Sequence, residues 1–159
     1  MAVPETAVPP TPSPVAAKAD LAKRFIAALI DAVLAAIVSF VPIVGGLAAT
    51  AYLLVRDGLE IEFAKRRSIG KKLMKLRPVR LDGQPMNIGT SIKRNITLCI
   101  GAVGAIFWVI PILGWIIAIL LGLIGLLVAI VEAILVLTDK GGVRFGDKLA
   151  GTKVVEVNE

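Results

Sequence analysis

The chain has 159 residues, of which 57% are apolar and 19% charged, with a mean hydropathy of +0.85. Soluble domains run at about 45–50% apolar and about a quarter charged, so a chain this short cannot hide its surplus in one core, and the bilayer must be its solvent. It holds no histidine and one cysteine, which excludes His-assisted nucleophiles, His-containing metal sites and an intramolecular disulfide; neither a metal nor a cofactor is expected.

Residues 1–17 carry five of the nine prolines and almost no large apolar side chains. They cannot bury enough surface to offset ordering entropy, and a disordered, Pro-rich cytoplasmic tail is expected. The segment lacks the basic start of a secretory signal. From Phe25 to Val55 the only charged residue is Asp31, and the run is broken at Val41-Pro42-Ile43-Val44-Gly45-Gly46. Proline cannot continue the helical donor ladder and glycine permits reversal, so the spacing predicts a helical hairpin over about 24–56. A connection over about 57–93 follows. From Asn95 to Leu137 the only charge is Glu132, and the break falls at Ile110-Pro111-Ile112-Leu113-Gly114-Trp115, predicting a second hairpin over about 94–138 and a C-terminal segment over 139–159. The fold class is an all-α membrane protein with four transmembrane helices.

All 18 Lys and Arg lie outside the two apolar runs and away from both hairpin tips. The positive-inside rule then puts both termini and the connection in the cytoplasm, with Trp108 and Trp115 as interfacial indoles beside the second tip. Pro42 to Val55 gives roughly 21 Å of helix against a hydrocarbon core of about 30 Å. Either that helix runs on past Arg56 with the guanidinium snorkelling, or the first hairpin does not cross fully; the third helix raises the same alternative.

The two halves repeat each other. Lys23-Arg24 and Lys93-Arg94 precede the two hairpins, and Ser68-Ile69-Gly70-Lys71-Lys72-Leu73 through Arg77 and Val79 lines up with Arg144-Phe145-Gly146-Asp147-Lys148-Leu149 through Lys153 and Val155. Both units enter from the same side, so the repeat is of the parallel kind. Leu76 to Asn87, with Asp82-Gly83 at its centre, fits a small β-hairpin, with Thr152 to Val157 pairing nearby.

Helices associate in lipid through small residues. Arg24, Ala28, Asp31, Ala35 and Ser39 share one face of the first helix, Gly45, Ala49, Tyr52 and Arg56 one face of the second, Thr97, Gly101 and Gly104 one of the third, and Ala118, Gly122, Gly125, Ala129 and Glu132 one of the fourth. Both intramembrane acids therefore point into the bundle at similar depth in the cytoplasmic half. An isolated carboxylate there is costly, so each is protonated or paired, with Arg24, Arg56 and the Tyr52 hydroxyl within reach. Two readings stay open: a proton or cation site, in which desolvation raises a carboxylate pKa, or a structural lock between helices. Glu132 is the weaker site candidate because its longer side chain can reach the interface.

Arg24, Asp31 and Asp147, the last within Gly146-Asp147-Lys148-Leu149-Ala150-Gly151-Thr152, resemble the arginine and two aspartates of the RDD family of bacterial membrane proteins, and Ser68-Ile69-Gly70-Lys71 with Leu76-Arg77 resembles that family's central segment. The resemblance covers about residues 18–157. It implies an inner-membrane protein with a transport role, cation/proton exchange being suggested for some members. Glu132 is not in the defining set, and Pro78 interrupts a stretch that the family keeps apolar. Read alone, Asp147 is a surface salt-bridge residue; by the resemblance it ties the C-terminal segment to Arg24 and gates access to Asp31.

Three functions follow: a small cation or solute transporter centred on Asp31, acting as a homo-oligomer; a scaffold that presents Lys65, Arg66, Arg67, Lys71, Lys72 and Lys75 to anionic inner-leaflet lipid or a partner; and, with least support, an intramembrane enzyme. Nucleic acid is not expected as a partner, since the basic residues are explained by topology and no aromatic platform accompanies them. Gly70-Lys71 is no phosphate loop, because the required upstream glycine is replaced by Lys65.

Overall fold

The structure is a computed structural model that describes residues 19–41 and 44–158, with the side chains of Ala105, Trp108 and Val109 also outside the description. The expectations for residues 1–17, for Pro42 and for the Trp108 indole lie outside the described residues.

The order is α1 (Leu21–Ser39), α2 (Gly45–Val55), α3 (Ile69–Leu73), β1 (Leu76–Arg80), α4 (Ile88–Val103), a 3-10 segment (Gly104–Val109), α5 (Leu113–Thr138), α6 (Phe145–Leu149) and β2 (Thr152–Glu156). The protein is mostly helical. α5, with 26 residues and a mean hydropathy of 2.9, is long and apolar enough to cross a membrane. α1 has the length but carries Lys23, Arg24 and Asp31 within its 19 residues.

α2 ends at Val55, with Arg56 as its cap. Its 11 residues give about 16 Å, so of the two alternatives for this segment the continuation past Arg56 is not the one adopted; Arg56 is drawn inward by an ion pair instead of snorkelling. α4 begins at Ile88, ahead of the expected boundary, because the Asn87 side chain accepts the Thr90 N–H at 2.8 Å and caps it. Its polar first turns precede the apolar stretch, and the 3-10 segment carries the chain on to the reversal at Pro111, where Ile112 takes a left-handed φ of 61°.

Leu76 to Asn87 does not form a local hairpin. β1 pairs antiparallel with β2, Leu76 opposite Glu156 and Arg80 opposite Thr152, while Asp82 closes a turn by accepting the Gln84 N–H. Hydrogen bonds from Val157 N–H to Lys75 O and from Leu81 N–H to Gly151 O make the odd-numbered β1 positions the hydrogen-bonded pairs. Pro78 therefore faces Val154 across a non-hydrogen-bonded pair, where its missing N–H costs nothing to the ladder.

α3 with β1 and α6 with β2 have the same local build. Met74 N–H donates to Gly70 O and Ala150 N–H to Gly146 O, both at 3.1 Å; then Lys75 (φ 54°) and Gly151 (φ 61°) turn left-handed, with N–H bonds to Lys72 O and Lys148 O, both at 3.2 Å. Ala19, Ala27, Leu76 and Val154 form an apolar cluster where the two strands meet the start of α1.

The helices are apolar on their outer faces and polar where they meet one another. Phe25, Phe40 and Leu127 are exposed, whereas Asp31, Asp57, Arg94, Asn95 and Asp147 are at most 1% exposed. α1 buries Ala27, Asp31 and Ala35, and α5 buries Gly114, Ala118, Gly125 and Glu132. The expected small face of α5 shifts slightly, with Gly122 exposed and Ala129 half-buried. A Cβ at Gly125 would lie 2.5 Å from Gly101 Cα, so α4 and α5 pack backbone to backbone there, as small residues allow.

Candidate functional site

Asp31 has a complete set of partners. Arg56 Nη1 lies 2.8 Å from Oδ2, the Tyr52 hydroxyl donates to Oδ1 at 3.1 Å, and the Gly70 N–H donates to the same oxygen at 2.9 Å. Gly70, near the start of α3, approaches so closely that a Cβ there would lie 2.0 Å from Ala27 O. The carboxylate thus joins α1, α2 and α3.

Glu132 is buried and does not extend to the interface, because two donors hold it inside: the Thr97 hydroxyl at 2.7 Å and the Gly146 N–H at 3.1 Å, both on Oε1. Gly146 stands in α6 where Gly70 stands in α3, and its Cβ would lie 2.2 Å from Arg94 O. No basic side chain among the described residues pairs with Glu132, and its Oε2 has no hydrogen-bond partner.

A third buried carboxylate, Asp57, accepts from Lys71 Nζ at 2.7 Å, from the Ser68 N–H at 3.2 Å and from Asn95 Nδ2 at 3.3 Å. Burial alone raises its pKa, but Lys71, Arg94 and Arg56 overturn that and hold the carboxyl far below its ordinary range. Lys71 pays the counterpart: burial and the guanidiniums of Arg56 and Arg94 outweigh Asp57 and bring the ammonium down to about 7. Arg94, fully buried, stands between Asp57, at 3.6 Å from its Nε, and Asp147, at 2.7 Å from its Nη2.

Asp147 does meet Arg24, at 3.4 Å, but Arg94 at 2.7 Å and Arg144 at 3.3 Å are nearer. Burial raises its pKa, and these three arginines lower it further than burial raises it. It is a core residue here, not the surface salt bridge of the isolated reading. Arg24 also donates from Nη1 to Gly142 O, and Lys23 pairs with Glu156, so the C-terminal segment is tied to α1 at three points.

Arg24, Arg56, Arg94, Arg144, Asp31 and Glu132 all border one cavity of about 310 Å³ between α1 and α5. Its charged floor faces apolar walls that include Phe25, Leu98, Val136 and Leu137.

A sequence model of the RDD family matches residues 41–151. The chain belongs to the RDD family. Asp147 and the Gly70 segment fall inside the matched residues of this RDD protein, whereas Arg24 and Asp31 precede them. No curated protein and no solved structure matches the chain.

The basic segment divides. Lys65 and Lys75 are exposed, Lys72 is half-buried, and Arg66 pairs with Glu60 at 2.8 Å. Arg67 is buried with Nε donating to Ala64 O, and Lys71 is paired with Asp57 and borders the cavity. Sequence reasoning brought Tyr52 and Arg56 to Asp31 and placed Thr97 on an inward face, but Arg24, also expected within reach of the buried acids, pairs with Asp147 instead, and Asp57, Arg94 and Asn95 were missed. Arg94 and the Gly70/Gly146 pair carried a signal in the internal repeat, as aligned positions with no function assigned to them.

Proposed function

We propose that this RDD protein is a multi-pass inner-membrane protein, with four helices in two reversals and both termini cytoplasmic, that binds and carries a small anionic solute at the cavity between α1 and α5. The parallel repeat is supported by the matched builds of α3–β1 and α6–β2 and by the Pro78–Val154 pair, which joins aligned positions of the two units as a two-fold relation between them requires. A homo-oligomer supplies the enclosure that four helices lack.

One observation carries the choice of an anion. Among the residues lining the cavity, the buried polar atoms without a hydrogen-bond or ion-pair partner within 3.5 Å are Arg56 Nε, Arg94 Nε and Nη1, and Glu132 Oε2, while Arg94 Nη2 is held by Asp147 at 2.7 Å. Three of these four atoms are donors, which an anion's oxygens satisfy and a metal cation cannot. Asp31 is already neutralised by Arg56, so a cation at that carboxylate would have to displace a guanidinium.

A second reading, cation/proton exchange, is favoured by the free Glu132 Oε2 and moves from Asp31 to Glu132. The two are separated in dodecyl maltoside at constant ionic strength by the thermal unfolding midpoint. A soluble phosphate ester, glycerol 3-phosphate, is expected to raise it by several degrees, and sodium or potassium chloride to leave it unchanged. Stabilisation by the cations alone, with cation-driven proton flux in dye-loaded liposomes that Glu132→Gln abolishes, would establish exchange instead. Neither effect would leave the buried charges as a structural lock in a non-transporting scaffold.

A further inference from the structure

Resting on the anion-site reading, we propose that the occupant of the α1–α5 cavity is the phosphate head group of an anionic inner-leaflet phospholipid, which enters sideways from the bilayer.

The cavity opens toward the lipid side. Phe25 and Leu137 line it and are also 69% and 62% exposed, so they form a mouth on the outer surface of α1 and α5. Ala133 stands at the same mouth, exposed and lining. A solute arriving from water would meet this apolar rim with no polar group to exchange for its hydration, whereas an acyl chain gains dispersion contact along the same rim and leads its head group inward.

The floor has the chemistry of a phosphate site. Arg94 is fully buried; its Nη2 pairs with Asp147 at 2.7 Å, while its Nε, 3.6 Å from Asp57, and its Nη1 make no hydrogen bond among the described residues. Arg56 adds a free Nε, and Arg24 and Arg144 border the same space. Arginine forks match phosphate oxygens bidentately, and basic pockets between membrane helices on the cytoplasmic side bind anionic lipid head groups. A volume of about 310 Å³ lies at the low end of ligand pockets, roughly 300–1,000 Å³. That holds a head group and leaves the chains outside, against Phe25 and Leu137.

The test uses the full chain purified in dodecyl maltoside, titrated separately with dihexanoyl phosphatidylglycerol, dihexanoyl phosphatidylcholine, glycerol 3-phosphate and inorganic phosphate, with mass spectrometry of the lipid retained through purification. Phosphatidylglycerol is expected to bind at least about tenfold tighter than glycerol 3-phosphate, through its chains, and than phosphatidylcholine, whose choline cation faces the arginines. Ala133→Trp blocks the mouth without touching a charged group; it is expected to keep the fold and to lose both the retained anionic lipid and the phosphatidylglycerol effect. Arg94→Gln is expected to lose binding too, but it also removes a partner of two buried aspartates, so Ala133→Trp decides. Glycerol 3-phosphate or inorganic phosphate binding as tightly as phosphatidylglycerol would overturn the lipid proposal and leave the anion site standing. Phosphatidylcholine binding equally, or a folded Ala133→Trp with unchanged lipid retention, would also overturn it. No response to any phosphate compound would remove both.

Discussion

Two buried acids occupy corresponding settings and are satisfied differently. Asp31 and Glu132 each accept the N–H of a glycine near the start of a short helix, Gly70 in α3 and Gly146 in α6, and each also accepts a hydroxyl, from Tyr52 or Thr97. Only Asp31 adds a guanidinium. The acid has also changed helix: Asp31 stands on the first helix before its reversal and Glu132 on the helix after the second one. One geometry, a carboxylate clamping a glycine N–H against a helix, thus serves in one region as a closed ion pair and in the other as a group with an oxygen to spare.

The strongest way to break this comparison is to remove the acids. Asp31→Ala strands Arg56 and is expected to cost about 3–5 kcal/mol, the range for breaking a buried pair. Glu132→Ala loses two hydrogen bonds and strands no basic side chain, so a smaller loss is expected, about 1.5–3 kcal/mol. Denaturant unfolding in micelles checks the order, and a Glu132 loss as large as that of Asp31 would mean that Glu132 has a charged partner. Asp31→Ala with Arg56→Leu should recover much of the single loss.

Next come the glycines. Gly70→Ala and Gly146→Ala each push a Cβ into a backbone oxygen, at 2.0 and 2.2 Å. Similar losses are expected for both, about 1–3 kcal/mol or more, because the contact is with rigid backbone in each case. A large difference between the two would show that one cytoplasmic helix can move away freely.

The pH dependence differs between the two regions. Lys71, aligned with Asp147, has its pKa lowered to about 7 in the folded protein. Between about 7 and its ordinary 10.5 the unfolded chain holds a proton that the folded one has released, so this group makes stability rise with pH across that window. Lys71→Met is expected to flatten the rise, measured by thermal unfolding from pH 7 to 10. Asp57, held below its ordinary value, acts at the other end: its contribution is full above about pH 4 and falls away as acid protonates it.

The smallest effects concern the left-handed links. Gly151→Ala is expected to lose about 1–2 kcal/mol, while Lys75→Gly, relieving the same conformation, should be neutral or gain up to about 1 kcal/mol. Calorimetry of the two variants checks the signs.

Much of the layout could be read from the chain. The reversals at Pro111 and after Ser39, the inward Asp31 with Tyr52 and Arg56, and the aligned Gly70 and Gly146 segments all follow from apolar runs, breakers and small-residue spacing. The hairpin expected at Asp82-Gly83 failed because a turn signal is local while strand pairing is not. Among the described residues β1 pairs with β2 alone, the Thr152 to Val157 segment that was expected to pair nearby, whose Val154 and whose neighbour Gly151 complete the cluster and ladder. The strong pairing of Asp147 with Arg94 escaped for the same reason: three arginines compete for it, and spacing along the chain does not rank them.

By itself the sequence determined that this protein carries apolar runs long enough for a membrane helix, that its cations gather outside those runs, and that it belongs with the RDD family. These follow from composition and order, which the solvent reads directly. Only the tertiary structure decided which acid is neutralised and which keeps a free oxygen, and that the unsatisfied atoms around the cavity are mostly donors. Charge pairing in a low dielectric is settled by contacts of about 3 Å between residues distant in the chain, and no local pattern carries that information.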